Sequence, residues 1–326
     1  MPMNYSLFFN FYNKMKKNIT FLLLLLIFAS CGKTPDIDNA TMLDGDQIYD
    51  PSLAHPEKYL VSEYISNPSA LQKDTPVIIA AHGFSASTFE WDELRAFADS
   101  TKSFYVSQVL LGGHGRSYED FKKATWKDWQ ISIMDEYTKL SESGFKKIYL
   151  AGSSTGAPLI INMVKTGFFE TQTVQPKGIF LVDPIIVSAN KTLTLVGLLG
   201  PVLGYTTSEL PTGEQGHWYV YRPQESLKQL MALINLTRID LQKGIQLPVG
   251  TTLKVFKSKT DDVADPVSAL LIYKGMHTAD NENIEVELVD SKLHVFTRLA
   301  GREGVNSTDI ENQTMTFHKM ELKMKN

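Results

Sequence analysis

The chain has 326 residues, 43% of them hydrophobic and 21% charged, which suits one large α/β domain or two small ones and excludes a disordered or fibrous protein. It carries 32 basic and 36 acidic residues, a net charge of −4. Without Lys14, Lys16 and Lys17 of the amino-terminal segment the balance is 29 against 36, or −7, a poor match for nucleic acid.

Residues 1–30 read as a targeting segment rather than as part of the fold. Lys14, Lys16 and Lys17 form a positive region, Phe21 to Phe28 an apolar core, and Ala29-Ser30-Cys31 a small-residue cleavage site. Met15-Lys16-Lys17 fits the start of such a signal better than the aromatic stretch before it, so Met15 competes with Met1 as the start of translation. The ten apolar residues from Ile19 to Ala29, interrupted only by Thr20, are too few to span a bilayer comfortably. Cys31 is the only cysteine, so it has no partner for an internal disulfide. The arrangement resembles a bacterial lipoprotein lipobox, with Phe28 where an aliphatic residue is usual. The resemblance implies cleavage before Cys31, a thioether lipid on Cys31 and anchorage to a membrane of the bacterial cell envelope. Residues 31–45, polar with one proline, then form a tether.

In the globular part a strand is predicted at Tyr59–Ile65, with Pro51, Pro56 and Pro68 breaking the rest of that region. Pro76 to His82 is a continuous apolar run, as expected of a strand buried on both faces of a parallel sheet, and it ends in His82-Gly83-Phe84-Ser85. An amphipathic helix is predicted over Thr88–Ser100 and a strand over Phe104–Leu111. That strand leads into Gly112-Gly113-His114-Gly115-Arg116-Ser117, which has neither a Gly-Lys-Ser/Thr ending nor the G-x-G-x-x-G spacing of a nucleotide site. A helix follows over Trp126–Ser143.

Lys147 to Ile161 reads as strand, tight turn and helix, and its turn, Gly152-Ser153-Ser154-Thr155-Gly156, is a G-x-S-x-G pattern centred on Ser154. A serine on such a turn projects its hydroxyl into the open, and the helix behind it points unpaired amides at whatever the serine attacks. Gly178 to Pro184 is a further buried strand. The βαβ alternation then breaks over residues 185–247, which read as a cap inserted between core segments 46–184 and 248–326. The cap contains an apolar patch at Leu193–Leu203 and a helix at Gln224–Leu241. Strand, helix, strand and helix return at Thr252–Ser258, Pro266–Met276, Ile284–Val289 and Asp309–Met324. The whole implies an α/β fold with a mostly parallel sheet, whose ligands bind at the carboxyl ends of the strands.

A serine nucleophile needs a base and an acid to orient that base. Among seven histidines, His55, His217, His277 and His318 read as surface or packing residues, whereas His82, His114 and His294 follow strands. His294 lies downstream of every acid candidate, giving the order serine, acid, histidine. Asp261, Asp262 and Asp265 crowd one strand end, Asp265 being placed to cap the next helix, and Asp183 ends another strand. No HExxH or paired His/Asp cluster marks a metal site, and no cofactor is called for.

The ordered set His82-Gly83-Phe84, Gly113-His114-Gly115-Arg116-Ser117, Gly152 to Gly156, Asp261 to Pro266 and Asp290 to Val295 resembles the α/β-hydrolase superfamily, and within it the bacterial carboxylesterases and monoacylglycerol lipases. The resemblance, over about residues 60 to 300, implies an α/β-hydrolase fold with Ser154 as nucleophile, Asp261 as acid and His294 as base. It implies an oxyanion hole formed by the amides of Phe84 and Thr155, and leaves His82 and His114 as loop-shaping residues. It also implies a small acyl ester as substrate. A thioesterase, acyltransferase or perhydrolase on the same triad, and a non-catalytic envelope lipoprotein that binds a ligand in the cap cleft, are the alternatives. Leu193, Leu195, Val196, Leu198, Leu199 and Leu203 could line an acyl pocket, contact the membrane or pack the cap onto the sheet.

Overall fold

Six strands build the central sheet of the computed structural model, which describes residues 35, 50–189 and 204–325. The expected signal segment, Cys31, the tether apart from Pro35, and Leu193–Leu203 lie outside the described residues. In chain order the first strands are β1 (Val77–Ala81), β2 (Tyr105–Val109), β3 (Ile148–Ser153) and β4 (Gly178–Val182). A short antiparallel pair, β5 (Tyr205–Thr207) and β6 (Tyr221–Pro223), follows in the inserted segment. The remaining strands are β7 (Ile245–Gln246), β8 (Thr252–Ser258), β9 (Met276–His277) and β10 (Glu285–Val289), of which β7 and β9 form a small parallel pair. The sheet runs β10-β8-β4-β3-β1-β2 with every pairing parallel.

The helices are α1 (Pro51–Ala54), α2 (Val61–Tyr64), α3 (Ala70–Asp74), α4 (Asp92–Thr101), α5 (Tyr118–Lys123), α6 (Trp126–Glu142), α7 (Gly156–Lys165), α8 (Gln224–Lys243), α9 (Val267–Gly275) and α10 (Ser307–Lys325). Residues of β1 alternate between two cores: Val77, Ile79 and Ala81 join one, Ile78 and Ala80 the other. This is the period-2 consequence of a strand covered on both faces, and it explains the unbroken apolar run. On the first face, Trp129, Ile133 and Tyr137 of α6, Leu159, Ile160 and Met163 of α7, and Leu230, Leu233 and Ile234 of α8 are buried together. On the second, Leu94 and Ala98 of α4 meet Phe317, Met320 and Met324 of α10. Within the 185–247 segment α8 therefore also closes the sheet, packing on α7 and α9. Among the described residues, no helix is long and apolar enough to cross a membrane.

Helix starts follow local chemistry. Ser117 caps α5 by accepting from Asp120 N at 3.2 Å, and Thr125 and Asp128 form a reciprocal capping box at the start of α6.

Two expected elements differ. The predicted strand Tyr59–Ile65 is a turn followed by helix α2. The apolar residues Val61 and Ile65 are four apart and both buried, which satisfies a helical stripe as well as a strand, and the segment reaches the sheet only through the Tyr59 carbonyl, which accepts from Gln108 N at 2.9 Å, and the Val61 amide, which donates to Ser107 Oγ at 3.0 Å. The helix predicted over Thr88–Ser100 is a 3₁₀ turn (Thr88–Trp91) followed by α4. Asp50 accepts from Thr88 N at 2.9 Å, and Glu90 is tied back to the Gly83 amide at 2.8 Å, so the first turn serves tertiary contacts rather than the helix axis.

Candidate active site

The carboxyl ends of five strands deliver the candidate residues to one cleft. Phe84 comes from β1, Ser154 and Thr155 from β3, Ile185 from β4, Asp262 and Val263 from β8, and His294 from β10. The cleft has a volume of about 710 Å³. Its other walls come from the inserted segment, including Leu210, Trp218, Arg222 and Leu227.

Ser154 sits on the turn from β3 to α7 at φ 46°, a left-handed conformation uncommon for a residue with a side chain. The surroundings hold it there: its amide donates to Val182 O at 3.0 Å, and its carbonyl accepts from Ile185 N at 3.2 Å and Ala157 N at 3.3 Å. Both flanking glycines are forced by close approach. A Cβ at Gly156 would lie 2.3 Å from Ala81 O, and one at Gly152 would lie 2.7 Å from the Gly156 carbonyl carbon.

His294 Nδ1 lies 2.8 Å from Asp261 Oδ2, which leaves Nε2 as the ring atom for a proton exchange with Ser154. No hydrogen bond joins Ser154 to His294, and the two meet only as neighbours in the cleft wall. The loop that carries the histidine is pinned: Leu293 O accepts from Ser258 Oγ at 2.7 Å, Phe296 N donates to Asp183 Oδ2 at 3.2 Å, and the Arg302 guanidinium donates to His294 O. The amides of Phe84 and Thr155 donate to no acceptor among the described residues, and both residues line the cleft beside Ser154. His82 and His114 are fully buried in the loops behind the site. His82 Nε2 accepts from Leu111 N at 3.1 Å, so its Nδ1 carries the proton that Gly83 O accepts. Burial pushes both rings below the usual histidine range.

The acid candidates separate by what they touch. Asp262 is exposed. Asp265 accepts from Val267 N at 2.8 Å at the start of α9, a capping role. Asp183, buried at φ 44°, accepts from the Ser258 amide at 2.7 Å and the Ser258 hydroxyl at 3.1 Å. Asp261 alone reaches His294, and its second oxygen accepts from the amides of Val263 at 2.8 Å and Ala264 at 3.0 Å. Burial would raise its pKa, but the hydrogen bond and charge of His294 and the Lys257 ammonium outweigh this and hold the carboxyl well below the usual carboxylate range.

Two residues that sequence reasoning passed over complete the site. Lys257, at the end of β8, is fully buried, and its Nζ lies 2.8 Å from Asp183 Oδ1 and 2.6 Å from Asp261 Oδ2. The ligand atoms of Asp183, Asp261 and His294 come within 4.8 Å of one another, as in a metal site, but the ammonium lies between the two carboxylates and serves as their cation. Glu90, also buried, accepts from the Gly83 amide and the Ser153 hydroxyl, tying the loop after β1 to the elbow. Their only sequence signal is a charge inside an apolar pattern.

A curated relative, a thermostable monoacylglycerol lipase from Bacillus sp. (strain H-257), is 26% identical over 221 residues, which cover 68% of this chain and 83% of that protein. Among solved structures, the metagenome-derived lipolytic enzymes LipS and LipT superpose with a TM-score of 0.62 at 18% identity, over 77% of this chain and 94% of that one. A soluble variant of the Saccharomyces cerevisiae monoglyceride lipase, solved with a substrate analogue, gives 0.57 at 12% identity over 77% and 87%. No family model matches the chain.

Lys257→Met leaves two buried carboxylates facing each other, and loss of one partner of such a network costs about 3–5 kcal/mol. The variant is expected to melt well below the parent, and Asp183→Asn in the same background to recover part of the loss; equal melting temperatures for Lys257→Met and parent would refute the charge role. A second expectation concerns pH. The Asp261 carboxyl titrates lower when folded than its unfolded value of about 3.9, so its contribution is complete above roughly pH 4 and is lost as acid is added below that. The stability gap between the parent and Asp261→Asn should therefore narrow from pH 6 to pH 3 in denaturant titrations, and a constant gap would contradict the depressed pKa.

Proposed function

The chain is an enzyme of the α/β-hydrolase fold, and from that premise we propose that it is a serine hydrolase cleaving carboxylic esters, monoacylglycerol or other small acyl esters, through an acyl-enzyme. The observation that carries this reading is the convergence on one cleft of a strained Ser154, a His294–Asp261 pair 2.8 Å apart and two unengaged amides. The relative from Bacillus sp., named a monoacylglycerol lipase, supports the ester class.

Ser154 Oγ attacks the ester carbonyl while His294 Nε2 takes its proton, and Asp261 fixes the ring tautomer and stabilises the imidazolium. The amides of Phe84 and Thr155 receive the oxyanion that forms, and a fixed pair of such donors costs no reorganisation at the moment of reaction. His294 returns the proton to the leaving alcohol, which departs and leaves the acyl group on Ser154. A water, deprotonated in turn by His294, then attacks the acyl-enzyme and releases the carboxylic acid. Ser154 and His294 need to tighten only when substrate fills the cleft, and a loose apo geometry is compatible with that role.

The same reading places the enzyme at a membrane of the bacterial envelope through a lipid on Cys31, beside acyl esters that partition there. Ser154→Ala is expected to lower ester turnover by about four or more orders of magnitude with unchanged melting, the scale seen when one member of such a triad is removed. Retention of full turnover of a p-nitrophenyl ester by the folded variant would exclude Ser154 as nucleophile. For the anchor, Cys31→Ser is expected to move the protein from the membrane to the aqueous fraction of a bacterial lysate; unchanged membrane recovery in high salt would remove the lipid from the proposal.

A further inference from the structure

Arg222 is the residue of the cleft that ester hydrolysis leaves unexplained. It is the central residue of β6, opposite Thr206 of β5, and strand alternation turns its side chain away from those of Tyr221 and Pro223. It lines the same cleft as Ser154 and His294. Its Nε is buried without a hydrogen-bond partner, and its guanidinium makes no ion pair among the described residues. Burial lowers its pKa, and the charge of Glu214 offsets this in part. That carboxylate is already engaged, 2.6 Å from Arg298 Nη1.

The surroundings sharpen the point. Arg298 and Arg302 also line the cleft, each with a buried Nε that lacks a partner, yet both are otherwise used: Arg298 by Glu214 and Ala300 O, Arg302 by His294 O. Of the acids in the wall, Glu90 is committed to Gly83 and Ser153, while Glu209, Asp262 and Glu303 are exposed at the mouth, where solvent screens them. A guanidinium keeps its charge when desolvated, so a half-buried one without a partner is costly unless something supplies an anion. Planar oxyanions fit it bidentately. Phe84, Ile185, Leu210, Trp218 and Leu227 meanwhile give the cleft apolar wall.

We propose that the cleft accepts an ester whose non-reacting end carries an anionic oxygen group, a carboxylate or a phosphate, bound by Arg222, with the apolar wall holding the chain between that group and the scissile bond. This deepens the ester-hydrolase reading and rests on it. The binding group contributes to holding and placing the substrate, so its loss acts chiefly on KM.

Two matched pairs of esters separate the possible locations of the anion: p-nitrophenyl hexanoate against p-nitrophenyl hydrogen adipate for the acyl side, and monohexanoylglycerol against its phosphate for the alcohol side. The parent enzyme is expected to favour the anionic member of at least one pair in kcat/KM. Arg222→Gln is expected to cut that activity by about tenfold to a hundredfold, mostly through KM, the worth of a charged hydrogen bond. The anionic esters should lose more than the neutral ones, so that the ratio of anionic to neutral turnover falls, and Arg222→Lys should restore part of that ratio. An unchanged ratio of anionic to neutral turnover in folded Arg222→Gln overturns the proposal. Should that variant fail to fold, protection of Ser154 in the parent from a fluorophosphonate probe by adipate, glycerol phosphate or inorganic phosphate decides: protection supports the site and its absence overturns it. Failure of the parent to cleave any of the four esters, with Ser154 still labelled, strikes the ester-hydrolase reading, and the protection measurement still reports on the anion site.

Discussion

The constraint on which the site depends is steric: β3 must turn into α7 so tightly that positions 152 and 156 have no room for a side chain. A Cβ at Gly156 would enter the β1 backbone, and the turn leaves Ser154 at a positive φ that its neighbours must enforce. The enforcing bonds come from other elements, β4 through Val182 O and the loop after it through Ile185 N. A conformation costing about 1–3 kcal/mol is therefore held by the sheet itself. Strain at Ser154 is tolerated because β3 lies in the middle of the sheet, with β1 on one side and β4 on the other, all buried.

A second constraint is electrostatic. In the proposed triad Asp261 must stay ionised while buried, and burial alone opposes this. His294 and Lys257 together resolve the conflict for Asp261, and Lys257 creates another, since a fully buried ammonium needs more than one carboxylate to satisfy it. Asp183 supplies the second and is itself tied to Ser258 and Phe296. Phe296 stands two residues after His294, so one network sets the charge of Asp261 and the position of His294. This is why Asp183, as strongly buried as Asp261, acts as a support rather than as the partner of the histidine.

The sequence carried the fold well where the pattern had only one solution. Val77–Ala81 and Gly178–Val182 are apolar runs too short for helices, Tyr105–Val109 and Thr252–Ser258 are short β-branched and aromatic segments, and their alternation with helical segments specified a parallel sheet whose loops gather at one end. The Ser154 turn and the order of Asp261 and His294 were legible for the same reason, each being a local pattern attached to a strand end. Tyr59–Ile65 was misleading because its apolar spacing fits two periods, and Thr88–Trp91 because its contacts to Asp50 and Gly83 are invisible along the chain. Lys257 and Glu90 were missed on the same ground. Glu90 meets Ser153 across 63 positions and Lys257 meets Asp183 across 74, and nothing in a single sequence marks such pairs.

The residues that build the elbow and the charge network belong to the sheet, whereas Leu210, Glu214, Trp218 and Arg222 belong to the segment inserted after β4. In the proposed reading, chemistry and selectivity are thus carried by different parts of the chain. The sheet can hold Ser154, Asp261 and His294 whatever lies above them, because none of their supporting bonds runs to β5 or β6. The inserted segment is anchored independently: Tyr219 N donates to Ser85 O, and the Tyr219 hydroxyl donates to Arg116 O at 2.9 Å. Its half-buried guanidinium, engaged by no acid among the described residues, is consequently available to the substrate. Arg298 and Arg302 find acceptors among the described residues, and a half-buried guanidinium with a buried Nε that finds none among them is best explained by a partner that arrives with the ligand.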